Sequence, residues 1–162
     1  MTSNSGHTLE YTIWPEGVMK SGEDSMVFIT HDPIDYSALR QQVQRPGAGA
    51  ILIFEGTTRD NFEEKSVSEL RYEAYEAMAV SEMEALRDRI QADHPETRVA
   101  MAHRLGVVGV CETSVVTVVS APHRDEAYVV SRRVIDDLKR LIPIWKKEIY
   151  EDGSAWKANA GQ

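Results

Sequence analysis

Apolar residues recur at two different periods along residues 26–142, and that switching constrains the fold more than any other feature of the chain. A period near 3.6 buries one stripe of a helix, and a period of two buries one face of a strand. Ala79, Met83, Leu86 and Ile90 keep the helical period, so a helix is predicted from Ala77 to about Ala92, stopped by His94-Pro95. Ala127, Val130, Val134, Leu138 and Leu141 do the same in a last helix, opened by Pro122-His123-Arg124-Asp125 and ended by Pro143. A shorter helix starts at Asp35 or Ser37, runs through about Val43 and stops at Arg45-Pro46-Gly47. Between the helices, Val67–Tyr75 alternates, with Leu70, Tyr72 and Ala74 on the apolar side. Arg98–Leu105 also alternates up to Gly106, and Val107–Val110 reads as a brief strand. Val27–Thr30 reads as a short strand and Ala48–Glu55, nearly all apolar, as a buried one. Thr113–Ser120, rich in β-branched residues, reads as a central strand.

The order β-α-β-β-α-β-β-β-α, with short connections between neighbouring strands, favours antiparallel pairing and an α+β fold over a doubly wound one. At 162 residues with 42% apolar side chains, the chain makes one domain with a real core. Residues 26–159 form that domain. Residues 1–25 read as an N-terminal extension, a frayed polar tail whose island Tyr11-Thr12-Ile13-Trp14 could instead add an edge strand. A net charge of −8 argues against nucleic-acid binding. The single cysteine, Cys111, excludes an intrachain disulfide, and the five scattered histidines lack zinc-ligand spacing, so no metal and no cofactor is expected. No apolar run is long enough for a bilayer, and Met1–Gly6 lacks the apolar core of a signal peptide. No membrane association and a cytoplasmic, reducing location are therefore expected.

Cations gather locally in this acidic chain. Residues 123–147 are rich in Arg and Lys, and Lys139-Arg140 precede Pro143-Ile144-Trp145-Lys146-Lys147 by about one helical turn. Such a cluster holds a phosphate or carboxylate, and lowers a lysine's proton affinity by repulsion and burial. Helical geometry sets Tyr128, Ile135 and Lys139 on the flank of the core stripe, with Arg132 beside them. Lys139 there is either a snorkelling surface lysine or an amine reaching a pocket. His123-Arg124 opens the last helix and is either an anion site or a surface pair. Arg59, in the polar turn Gly56–Asn61, is a ligand contact or a solvated turn residue. Phe54, just before that turn, belongs to the core or to a pocket wall. Cys111 has no basic neighbour in sequence and reads as structural.

Five blocks carry a family resemblance: Phe54-Glu55-Gly56-Thr57-Thr58-Arg59-Asp60-Asn61, Tyr72-Glu73-Ala74-Tyr75, His103-Arg104-Leu105-Gly106, Ser120-Ala121-Pro122-His123-Arg124 and Pro143-Ile144-Trp145-Lys146-Lys147-Glu148. In this order, and with Trp156-Lys157 downstream, they resemble the large, catalytic subunit of molybdopterin synthase over roughly residues 26–159. The resemblance implies an α/β-hammerhead fold and a sulfurtransferase of molybdenum cofactor biosynthesis. It implies a cyclic pyranopterin monophosphate substrate that gains two sulfurs as a dithiolene while its cyclic phosphate opens. The sulfur donor it implies is the C-terminal Gly-Gly thiocarboxylate of a small ubiquitin-like partner. Two large subunits would form a central dimer with a small subunit at each end. Matched position by position, Lys139 and Lys146 are the catalytic lysines, Arg59, His123 and Arg124 hold the anion, and Phe54 is a pocket wall. Ile135 stands where some relatives have methionine, and Pro122 replaces a small residue. Residues 1–25 have no counterpart. Val67–Tyr75 and Thr113–Ser120 are candidate dimer elements. The alternatives are a non-catalytic scaffold for the partner's tail and a regulatory module that binds a phosphorylated metabolite without a partner.

Overall fold

The computed structural model describes residues 19–20 and 26–159. In chain order the elements are β1 (Met19–Lys20), β2 (Val27–Thr30), α1 (Tyr36–Val43), β3 (Ala50–Thr57), β4 (Asn61–Phe62), β5 (Lys65–Ala74) and α2 (Glu76–Asp93). They continue as β6 (Arg98–Arg104), β7 (Gly106–Gly109), β8 (Thr113–Ala121), α3 (Arg124–Leu141), β9 (Ile144–Tyr150) and β10 (Ala155–Asn159). The first sheet runs β1-β2-β6-β8-β3 and the second runs β10-β9-β5-β4, with β7 also paired to β5. All pairings are antiparallel except β2 with β6, which is parallel because α1 through α2 intervene as a long crossover. The α+β class holds. The island Tyr11–Trp14 lies outside the described residues; within the same segment, Met19–Lys20 pairs with β2.

Alternation along the first sheet produces two cores. Val115 and Val119 of β8, with Val27, Ile29, Val99 and Met101, face α2 and α3. Val116 and Val118 face the other way, with Phe28, Ala100 and Ala102, onto Leu39 and Val43 of α1. The α2 stripe is buried as predicted, Ala79, Met83, Leu86 and Ile90 all being sealed from water. Burying such side chains stabilises by about 1.5–3 kcal/mol each. Asp35 caps α1 by accepting the Ser37 backbone N–H at 2.9 Å.

Four expectations change. Ala48–Glu55 is not a buried strand: β3 is the edge of the first sheet, and Ile53 is 40% exposed. Leu141 closes no stripe, because it sits in the last turn of α3 and stays exposed, while Ile135 is buried on the flank. The predicted order places no element after Pro143. The chain returns there as β9 beside β5 and then as β10, giving the second sheet two strands that the predicted order lacks. Thr113–Ser120 offers no dimer surface, since β8 is central and almost wholly buried, and the two edges of β5 are already paired with β9, β4 and β7.

Candidate functional site

The site forms where the end of α3 meets β9 and the turn after β3. Strand alternation sends Ile144, Lys146, Glu148 and Tyr150 to the same side of β9, the side that faces the core. Pairing with β5 sets Lys146 opposite Tyr72 and Glu148 opposite Leu70. Lys139, in the last turn of α3, reaches the same space from the flank of the buried stripe. Arg59 enters from the turn after β3, whose backbone is pinned by Thr58 N–H donating to the Glu112 carbonyl at 3.0 Å. The result is a cavity of about 150 Å³ whose titratable lining comprises Arg59, Tyr72, His103, Lys139, Lys146 and Glu148.

Its charge is three cations against one carboxylate. Glu148 is 3% exposed, and such a carboxylate persists only if both oxygens are engaged. Its Oε1 lies 3.1 Å from Lys146 Nζ, and its Oε2 accepts the Tyr150 hydroxyl at 2.8 Å. That hydroxyl bond, with lesser burial, pushes the Tyr150 phenol up to about 12. Lys146 is itself largely buried, its amine 5.9 Å from the Phe62 ring centre. Lys139 forms no ion pair among the described residues. Its amine is held below the ordinary lysine range, first by partial burial and then by the positive charges of Lys146 and Arg59, with Asp136 opposing weakly. One flank of Lys139 stays in contact with solvent, so the amine can exchange protons with water.

His103 is the buried base of the cavity. Its Nδ1 lies 2.8 Å from the Arg104 carbonyl oxygen, an acceptor only, so Nδ1 carries the proton and Nε2 keeps a lone pair. Burial, outweighing that hydrogen bond and aided by the charge of Lys139, lowers its pKa to about 4. The ring meets Tyr72 edge-on at 4.9 Å, and the Tyr72 hydroxyl donates to Ser114 at 3.3 Å.

A second concavity adjoins the first. This groove of about 440 Å³ runs between β3 and α3, with Leu52, Phe54, Tyr128 and Ile135 on its walls. Lys139 lines both spaces. Of the residues singled out in the sequence, Arg59, Lys139 and Lys146 thus converge, and Phe54 lines the groove next to them. His123 and Arg124 do not join them within this protomer. They open α3, roughly 22 Å along the helix axis from Lys139 at the standard rise. Arg124 is 84% exposed at its side chain and only 3.9 Å from Asp125. Glu148, Tyr72 and His103 were missed. The signal for Glu148 was the period-two spacing of Ile144, Lys146, Glu148 and Tyr150, obscured by Trp145 and Ile149 on the other face.

The family described as MoaE protein matches residues 29–141. Over 126 residues the chain is 49% identical to a protein of Oryza sativa subsp. indica named molybdopterin synthase catalytic subunit, a match covering 78% of this chain and 65% of that relative. Over 135 residues it is 44% identical to molybdopterin synthase catalytic subunit 1 of Aedes aegypti, covering 81% of this chain and 87% of the relative. The crystal structure of molybdopterin synthase from Staphylococcus aureus superimposes with a TM-score of 0.77 at 32% identity, over 80% of this chain and 94% of that one. The chain therefore spans about two thirds of the rice relative's length and most of the mosquito relative's. Phe54, Arg59 and Lys139, which line the two adjoining spaces, lie inside the matched segment, and the chain belongs to the MoaE protein family.

Proposed function

We propose that this protein is the catalytic subunit of a molybdopterin synthase and transfers sulfur from a partner's C-terminal thiocarboxylate to cyclic pyranopterin monophosphate. The observation that carries the reading is Lys139, shared by a cationic cavity and an apolar groove. Two reactants must meet at one amine, and two adjoining concavities give each its own approach. The groove past Leu52 and Phe54 takes the slim Gly-Gly tail of a small ubiquitin-like subunit. The cavity takes the phosphorylated end of the pterin, with Arg59 and Lys146 offsetting its charge. Lys139 stabilises the oxyanion that develops on the thiocarboxylate carbon, or protonates it. Holding these groups in place converts an encounter into an oriented reaction.

His123 and Arg124 act in this reading from a second protomer of a central dimer. Their distance from Lys139 along α3 supports that assignment. So does the outer edge of β3, which no strand among the described residues pairs, a place for a second copy. Among the described residues no helix is long and apolar enough to cross a membrane, which accords with a cytoplasmic biosynthetic role.

Arg59→Ala tests the phosphate role. Losing a charge-assisted contact weakens pterin binding roughly tenfold or more, while affinity for the partner subunit stays within about twofold, since the groove is untouched. Calorimetric titration of each ligand reads both. Equal loss of both affinities contradicts a phosphate-holding Arg59.

A further inference from the structure

The cavity holds two lysines, and one buried carboxylate treats them differently. Glu148 contacts Lys146 at 3.1 Å and no contact joins it to Lys139 among the described residues. Resting on the function proposed above, we infer that Glu148 is a positioning residue that fixes Lys146 as the standing cation of the cavity and leaves Lys139 as the amine that gives up and regains the proton.

Three observations carry this division. First, both Glu148 oxygens are engaged: one faces Lys146 and the other accepts from Tyr150. A carboxylate so engaged orients a neighbour and does not itself shuttle protons. Second, Lys146 is tethered. It lies on a strand paired on both sides, its side chain is 15% exposed, and its amine sits between Glu148 and the Phe62 ring. A buried ammonium facing a buried carboxylate is held at it, because separating the two would leave the carboxylate uncompensated. Third, Lys139 faces the opposite surroundings. The groups turned towards it are Lys146 from β9, Arg59 from the β3 turn, the neutral His103 from β6 and Tyr72 from β5, with Asp136 of its own helix the acid that acts on it. Two cations and two neutral rings make the Lys139 ammonium a readier proton donor than an ordinary lysine. In the transfer step the Nζ–H bond of Lys139 breaks, its electron pair stays on nitrogen, and the proton goes to the oxygen where negative charge develops. Solvent at the open flank returns a proton afterwards. Lys146 stays charged throughout and holds the phosphate.

The test labels lysine ε-carbons with ¹³C in the full-length chain and follows them by NMR against pH, with no substrate present. Lys139→Arg and Lys146→Arg variants assign the two signals. Expected is a Lys139 signal that titrates below the bulk lysines while the Lys146 signal stays still over that span. In Glu148→Gln, which keeps the shape and removes the charge, the Lys146 signal moves within the same span. Dithiolene formation at neutral pH then falls roughly tenfold, less than the roughly hundredfold or larger loss of a group that transfers the proton itself. Glu148→Asp, which restores the charge, recovers most of that loss and returns the Lys146 signal to rest. It also keeps the test informative should Glu148→Gln fold poorly. Joint titration of both lysines in the unsubstituted protein, or an unmoved Lys146 signal in Glu148→Gln, overturns the inference. The labelled signals need no sulfur donor, so expected titrations without any dithiolene product would count against the sulfur-transfer reading alone.

Discussion

Lys139→Ala abolishes dithiolene formation while the variant still folds and still binds the partner subunit. Removing a group that moves a proton in the transition state costs about 10²–10⁴-fold, and here the same side chain joins the cavity to the groove. Its truncation removes little packing, since the residue keeps an exposed flank, so stability changes by about 1 kcal/mol or less. Loss of one of three clustered cations also removes the repulsion of Lys139 with Lys146 and with Arg59. Lys139→Arg sharpens the result. Guanidinium keeps the charge and the reach but does not release its proton near neutrality. If proton transfer is the role, arginine fails to rescue; if fixed charge suffices, arginine restores much of the rate. Single-turnover rates with thiocarboxylated partner in excess separate the two, and a near-normal rate in Lys139→Ala removes the residue from the mechanism.

Mild acid destabilises this protein through His103, the second large effect. The imidazole is neutral in the folded state down to about 4, below the ordinary 6.5 that an unfolded chain shows. Between those values the unfolded state binds a proton that the folded state refuses. The contribution is therefore fully present above pH 6.5 and is lost as pH falls from 6.5 towards 4. The span corresponds to roughly 3 kcal/mol, a large share of a domain's total stability. Urea unfolding at intervals from pH 7.5 to 4.5 reads it, with His103→Gln as the comparison. The carboxylates held low by hydrogen bonds or a cation, such as Glu112 and Asp152, lose their contribution at lower pH in both proteins and cancel. Expected is a steeper loss in the unsubstituted protein. Parallel curves would show that the imidazole takes up its proton as readily folded as unfolded, and would contradict the burial effect assigned to it.

What the sequence disclosed, and what it hid, follows from where charge lies. Wherever apolar residues alone face the core, periodicity located the element. The stripe of α2 is buried at every predicted position, and β8 is the central strand its β-branched run required. The rule failed at β9, because Lys146 and Glu148 face the core side while Trp145 and Ile149 face away. A strand that buries an ion pair does not alternate in polarity, and that same ion pair belongs to the site. The β3 run failed in the opposite sense: it lies on a sheet edge, where Ile53 is exposed while Ile51 and Phe54 pack partly against the two cores. Convergence of Arg59, Lys139 and Lys146 was legible through the family resemblance, and their spacing in sequence left it open. Tyr72, His103 and Glu148 arrive from three different strands, so no local spacing marks them.

The central claim is that sulfur passes to a pterin beside Lys139. Its direct measurement mixes the full-length protein with the thiocarboxylated small subunit and cyclic pyranopterin monophosphate, then follows pterin mass and phosphate state. The account predicts a pterin that has gained two sulfurs as a dithiolene with its cyclic phosphate opened, and two partner tails per pterin returned to plain carboxylates with oxygen from water. A protein that binds both reactants while the pterin gains no sulfur would contradict it and leave a scaffold that merely holds the partner's tail.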